Sequence, residues 1–195
     1  KGFLQDVRHN LWECFFITHS LRKDLPMKLT TIIPVHNAEK YITATLDSVL
    51  QQDLGNPEEL EVICVDDAST DASVALIKDY QQKDSRIRLF LNEKTRFAGA
   101  CRNKGIEEAH GDYLHFLDAD DLVEKGVYQK YLSIAEQADA DMVKGCAVCF
   151  DNETGELSDT PLFALSDVPA ECFDKVLNFH QAPEIFSHIS VVPWN

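Results

Sequence analysis

The chain has 195 residues, 45% of them hydrophobic and 26% charged, with a formal net charge of −15 at pH 7, which allows one sizeable α/β core with an appendage. The acidic balance excludes a general nucleic-acid binder, because counterion release needs a basic surface, and no long uncharged apolar run is present to span a bilayer. The six cysteines, Cys14, Cys64, Cys101, Cys146, Cys149 and Cys172, fall mostly in apolar patterns where a reduced thiol acts as a small hydrophobe, so a reducing, cytoplasmic compartment is expected.

In residues 1–26, Leu4, Val7, Leu11, Trp12, Phe15 and Phe16 recur at helical spacing. They predict an amphipathic extension that docks on protein or makes a peripheral membrane contact, and that the fold does not itself require. From Leu29 onward, short apolar runs alternate with helical patterns in the order of a mostly parallel, Rossmann-like α/β sheet covered on both faces. The first strand, Leu29 to Ile33, is stopped by Pro34. Asn37 is the expected cap of a helix whose buried stripe is Tyr41, Ile42, Leu46, Val49 and Leu50, ending near Gln52.

A loop over 53–59 leads to a strand over Leu60 to Val65. Ser69, Thr70 and Asp71 then offer caps for a helix with Val74, Leu76, Ile77 and Tyr80 turned inward. Ile87 to Leu91 is a third strand. A helix over Ala100 to Ala109, with His110 in its last turn, stops at Gly111, and Tyr113 to Leu117 is a fourth strand. A helix over Val127 to Ala138 follows, then a strand over Met142 to Phe150, a hairpin turn at Asn152-Glu153-Thr154-Gly155 and a helix over Cys172 to Phe179; residues 183–195 carry no assignable pattern. Cys146-Ala-Val-Cys149 has redox or zinc spacing, but it lacks a second Cys/His pair and reads as core packing.

In an open parallel sheet, ligands sit outside the carboxyl ends of the strands. Three such ends carry chemistry here: Pro34 to Asn37, Asp66-Asp67, and Asp118-Ala119-Asp120-Asp121. Neighbouring carboxylates repel unless water or a cation screens them. A sparse Asp118/Asp120 pair suits Mg2+ or Mn2+, which keep several waters and share phosphate oxygens; the plainer reading is a solvated loop capping the next helix. Residues 131–195 hold only Lys144 and Lys175 against eleven acids, whereas Lys94, Arg96, Arg102 and Lys104 form a run without an acid, the best local site for phosphate.

These segments together resemble a known family. Pro34-Val35-His36-Asn37-Ala38-Glu39-Lys40-Tyr41-Ile42, Val65-Asp66-Asp67-Ala68-Ser69-Thr70-Asp71, Ala100-Cys101-Arg102-Asn103-Lys104-Gly105-Ile106 and Gly111-Asp112-Tyr113-Leu114-His115-Phe116-Leu117-Asp118-Ala119-Asp120-Asp121 are similar, in that order, to family 2 glycosyltransferases of the GT-A fold. The resemblance spans roughly residues 28–150. It implies a nucleotide-sugar-binding domain over 27–150 and the start of an acceptor-side region over 151–195.

By the same resemblance, Pro34 and His36 line a base pocket with Glu39 close by, and Asp67 hydrogen-bonds the base. Asp118 is shared between ribose and metal, Asp120 contacts Mn2+ or Mg2+ directly, and Arg102 and Asn103 lie near the donor. The resemblance implies a nucleotide-sugar donor, commonly a UDP-sugar, and a saccharide or lipid-linked acceptor. It further implies inverting transfer in bacterial cell-surface polysaccharide synthesis, with the protein cytoplasmic or peripheral at the inner face of the membrane. The family's catalytic base follows a Trp-Asn-Lys-Leu-like segment, and the chain ends at Val192-Pro193-Trp194-Asn195. The base therefore has no assigned residue: Glu184 and His188 are nearby titratable groups better read as surface or capping residues. A non-catalytic nucleotide-sugar-binding fragment and a sugar-phosphate nucleotidyltransferase are the alternatives; the second normally needs a glycine-rich turn that Pro34-Val35-His36-Asn37 lacks.

Overall fold

The structure is a computed structural model that describes residues 27–140, 142–144 and 154, with the backbone alone at 14–17 and 144. The chain divides into two units, 15–143 and a second made of 1–14 and 144–195. Apart from the terminal strand residues Cys14 and Lys144, the sheet and everything discussed below belong to the first. The strand expected over 145–150, the helix over 172–179, Cys146, Cys149, Glu184 and His188, and the leader apart from 14–17, lie outside the described residues.

The described elements are β1 (Cys14–Ile17), β2 (Leu29–Val35), α1 (Ile42–Leu50), a 3-10 turn (Pro57–Glu59), β3 (Leu60–Asp66), α2 (Ser73–Lys83), β4 (Ile87–Leu91), α3 (Phe97–Glu108), β5 (Tyr113–Phe116), α4 (Val127–Ala138) and β6 (Met142–Lys144). They form one sheet in the order β4-β3-β2-β5-β1-β6. The pairs β2–β3, β2–β5 and β3–β4 are parallel and β1–β5 is antiparallel, so the mostly parallel α/β expectation holds.

Every residue of β2 is buried, because helices cover both faces of the sheet. Alternation along the strands sorts the core into two layers. Ile33 and Val35 of β2 join Val62 and Cys64 of β3 with Leu46, Ile77 and Tyr128 of the helices on one face. Ile32, Ile63, Val65 and Leu114 meet Cys101 of α3 on the other. Close approach on this second face depends on Gly105: a Cβ there would lie 2.3 Å from Cγ2 of the fully buried Ile32. The missing side chain lets α3 lie on β2 and carries Arg102, one turn earlier, to the strand ends.

Several boundaries differ from expectation, each for a physical reason. Pro34 does not stop β2; it pairs with Val65 and the strand runs on to Val35. β5 pairs with β2 only as far as Ile32, whose carbonyl accepts from Leu117 N. Residue 34 faces that same side, where the ladder has already ended, so no amide hydrogen is missed. Asn37 does not cap α1, which begins at Ile42 after Tyr41 without a side-chain cap; Asn37 takes φ 52° and spends its side chain across the loop. Tyr41, expected in the buried stripe, is 39% exposed. α3 starts at Phe97 and ends at Glu108, and the helix expected around Phe15 and Phe16 is instead the strand β1. Cys-Phe-Phe-Ile suits a strand as well as a helix, and it closes the edge that β5 would otherwise expose. No helix among the described residues is long and apolar enough to cross a membrane.

Just below the strand ends, β5 buries His115 completely. Tyr128 Oη accepts from Thr31 Oγ1 at 2.9 Å and lies 2.8 Å from His115 Nδ1. Burial pushes the His115 pKa down to about 3. Below the unfolded-state pKa of about 6.5 the unfolded chain takes up a proton that the folded chain refuses, so stability present at pH 7 is lost on acidification at roughly 1.4 kcal/mol per pH unit. Asp121, whose pKa is raised to about 6, acts in the opposite direction between its two pKa values. The effect of His115 is therefore read as a difference: the stability of His115→Leu relative to the parent, from urea melts between pH 7.5 and 5.5, should improve as pH falls. A constant gap between the two curves would remove the assignment.

Candidate functional site

The carboxyl ends of β2, β3 and β5 open into a cleft of about 310 Å3. Its lining contains Pro34, His36, Asp67, Arg102, Asp118 and Asp120. Two segments 51 residues apart in sequence, at Asp67 and Asp118, therefore meet in one cavity. Glu39 and Asn103, expected beside them, do not line it.

The β2–α1 and β3–α2 loops are clamped together, and the clamp explains the position of Glu39. Asn37 N donates to Ser69 Oγ at 2.9 Å, Thr70 N to Asn37 Oδ1 at 2.9 Å and Ala38 N to Ser73 Oγ at 2.8 Å. Glu39 N donates to Asp71 Oδ2 at 3.0 Å, and its carboxylate accepts from Ala72 N at 2.9 Å. That carboxylate is thus used to hold the start of α2 rather than to face the cleft. His36 is exposed at the rim, with Nδ1 2.8 Å from the Asp67 carbonyl and Nε2 3.2 Å from Asn37 Nδ2. A carbonyl can only accept, so Nδ1 carries the hydrogen and Nε2 receives one from Asn37.

Asp67 is 3% exposed. Oδ1 accepts from Arg96 N at 2.8 Å and Asn92 Nδ2 at 3.0 Å, and Oδ2 from Phe97 N at 2.8 Å. Burial alone would raise its pKa, but the Arg96 amide, the Asn92 side chain, the Phe97 amide and the Cys101 thiol outweigh it and hold the carboxyl below the usual range. Asp67 therefore anchors the turn that starts α3, where Phe97 takes φ 66°.

Asp118 and Asp120 are exposed, on either side of the buried Ala119. Arg102 Nη2 lies 2.6 Å from Asp118 Oδ1. With the Asp118 side chain 53% exposed, such a pair contributes at most about 1 kcal/mol and gives way easily to a stronger ligand. Asp121 is only partly exposed, and burial together with the charges of Asp118 and Asp120 raises its pKa to about 6. Burial is the larger cause, and the smaller part due to Asp118 and Asp120 is repulsion that a cation would relieve. No group of three or more metal-capable side chains occurs among the described residues. A divalent ion would accordingly use Asp118 and Asp120 and complete its shell from phosphate oxygens and water, the pattern Mg2+ and Mn2+ favour; the residues present fit that sparse arrangement.

The basic run does not act together. Arg102 alone of the four lines the cleft. Lys104 points elsewhere, with its ammonium on Glu108 and over the Phe90 ring, and Arg96 contributes its backbone to Asp67. Tyr41, read from sequence as core, lines the cleft instead; its place at the junction of loop and helix was the available signal.

Comparison with known proteins is consistent across sequence and structure. Residues 30–191 match the model of glycosyl transferase family 2. An uncharacterized glycosyltransferase of Haemophilus influenzae is 36% identical over 129 residues, 66% of this chain and 50% of that protein. A poly(ribitol-phosphate) beta-glucosyltransferase of Bacillus spizizenii is 34% identical over 120 residues, 61% of this chain and 19% of that protein. Among solved structures, S. aureus TarS 1-349 in complex with UDP-GlcNAc superposes with a TM-score of 0.56 at 29% identity, covering 67% of this chain and 37% of that chain. The chain spans half or less of the length of each of these proteins.

Proposed function

The chain belongs to glycosyl transferase family 2, and from that membership and the cleft we propose that it binds a UDP-sugar and serves transfer of the sugar to a saccharide or lipid-linked acceptor in cell-surface polysaccharide synthesis. The observation that carries the proposal is the presence of Pro34, His36, Asp67, Arg102, Asp118 and Asp120 in the lining of one cleft at the strand ends. The UDP-GlcNAc held by the TarS neighbour and the glucosyltransferase relative support the choice of donor and pathway class.

In this proposal the base enters beside Pro34 and His36. Asp67 offers Oδ1 to a base N–H in exchange for the Asn92 amide, the one side chain among its nitrogen donors. Asp118 meets the ribose and, with Asp120, would hold Mn2+ or Mg2+. The ion, when bound, supplies Lewis-acid stabilisation to the departing diphosphate. Arg102 releases Asp118 and turns to the phosphates, adding positive charge in a strongly acidic molecule. Asn103 and Glu39 act from outside the cleft, Glu39 by holding the start of α2. The proposal includes inversion at the anomeric carbon, with an acidic base drawn from outside the residues named here. It also includes a cytoplasmic location, peripheral at the inner membrane face, which the buried free thiols of Cys64 and Cys101 accord with.

Titration calorimetry with UDP, with and without Mn2+, tests this reading. Binding strengthened by about tenfold or more when Mn2+ is present, about 1.4 kcal/mol, is the expected result. Absence of UDP binding at millimolar concentration with Mn2+ present would sink it.

A further inference from the structure

The loop 117–126 between β5 and α4 carries Asp118 and Asp120 but has no regular secondary structure. Within it, Asp121 N donates to Asp118 O at 3.1 Å. Its other backbone groups need partners too: Leu117 N donates to Ile32 O, Glu124 O and Gly126 O accept from Val127 N and Lys130 N at the start of α4, and α1 with Gln52 past its end supplies side-chain partners. Thr45 Oγ1 donates to Ala119 O at 2.8 Å. Ser48 Oγ accepts from Val123 N at 3.0 Å. Gln52 Nε2 donates to Glu124 O at 2.9 Å, while its Oε1 accepts from Gly126 N at 3.1 Å and Tyr128 N at 3.3 Å. These three polar side chains are 0%, 6% and 4% exposed, and their spacing of three and four residues puts them on one face. Buried polar groups on a helix that otherwise packs in an apolar core require such partners.

The bond from Thr45 differs from the rest in where it lands. It holds the carbonyl of the residue between the two aspartates, whose side chains point out into the cleft while Ala119 is 8% exposed. We propose that Thr45 is a positioning residue for the Asp118 and Asp120 carboxylates, fixing the Ala119 peptide so that a divalent cation carried with a nucleoside diphosphate meets both in a preset arrangement. The proposal rests on the reading of the cleft as a metal-nucleotide site and goes further by naming what sets its geometry. Ser48 and Gln52 hold the distal part of the loop and contribute to its folding more than to the cation. Small displacements of a ligand's supporting groups weaken binding strongly.

The test uses the whole chain and two readouts, calorimetry with UDP and the EPR signal of free Mn2+. Thr45→Val keeps the shape and removes the hydroxyl donor. It should weaken Mn2+-dependent UDP binding by about tenfold, leave UDP binding without metal within about twofold of the parent, and be rescued to within about threefold by Thr45→Ser. Gln52→Met removes the distal anchors and should lower the melting temperature with a change of less than about threefold in Mn2+-dependent binding. If Thr45→Val does not fold, Thr45→Cys, with a weak S–H donor, carries the same expectation. Parent-like Mn2+ binding in the folded variant, or equal losses with and without metal, overturns the proposal while leaving the cleft reading intact. A parent that binds no Mn2+ with UDP removes both.

Discussion

Replacing Asp67 with alanine is expected to lower the melting temperature by roughly 6–12 °C, the consequence of losing about 3 kcal/mol in a chain of this size, and to weaken UDP binding by at least about thirtyfold, some 2 kcal/mol. The stability loss follows from the donors left behind. Arg96 N and Phe97 N both donate to this carboxylate, and without it two amides in the turn before α3 lose a charged acceptor whose own side chain is buried. The Phe97 backbone, at φ 66°, is a conformation that non-glycine residues adopt only when neighbours impose it; its amide bond to Oδ2 is one of those constraints. The binding loss has two sources in the same side chain, the proposed contact to the base and the shape of the α3 start, which carries Ala98, Cys101 and Arg102 to the cleft wall. Calorimetry at a temperature where circular dichroism shows the variant fully folded separates them from simple unfolding. A melting temperature within 2 °C of the parent would show that the turn does not depend on Asp67.

The parallel sheet and the acid-bearing strand ends were legible in the sequence because the runs Leu29 to Ile33 and Leu60 to Val65 are mostly apolar, and each empties into polar residues. What sequence could not supply was the direction in which a polar side chain is spent. Glu39 and Asp67 look alike as acids near a strand end; one props the start of α2 and the other the start of α3, because each lies next to a different set of unpaired amides. The same holds for Asn37, read as a helix cap and used instead to bridge two loops. Pro34 misled through a rule of thumb about proline in strands that fails where the neighbouring strand has already ended. Thr45, Ser48 and Gln52 carry no functional signal in the sequence, because their purpose depends on a loop seventy-odd residues away, and local pattern carries no information on such a pairing. At Phe15 and Phe16, helical spacing and strand composition coincided, and the open edge of β5 decided between them.

The second large effect is expected from Asp120→Ala, and it should be confined to the metal. Asp120 is exposed and lines the cleft, and the bonds that hold its loop run through the backbone of Ala119, Val123, Glu124 and Gly126 instead. Its removal should therefore leave stability within about 0.5 kcal/mol of the parent, as for surface substitutions away from structural features. One carboxylate fewer also eases the repulsion on Asp121, whose raised pKa burial and the charges of Asp118 and Asp120 produce; the Asp121 pKa should fall in the variant, which carbon-detected NMR titration can follow. Against that slight relief stands the loss of one of only two protein ligands proposed for the cation. Because a sparse site has no surplus ligand to compensate, Mn2+-assisted UDP affinity should drop by about a hundredfold, near 2.7 kcal/mol. UDP binding without metal should stay within about twofold or improve, since a negative charge has left the path of a diphosphate. The contrast with Asp67→Ala is the discriminating feature: that variant loses stability and binding in both conditions, this one loses binding only where Mn2+ is present. Unchanged Mn2+-assisted affinity in a folded Asp120→Ala protein would mean that the cation, if the cleft takes one, is held by other residues.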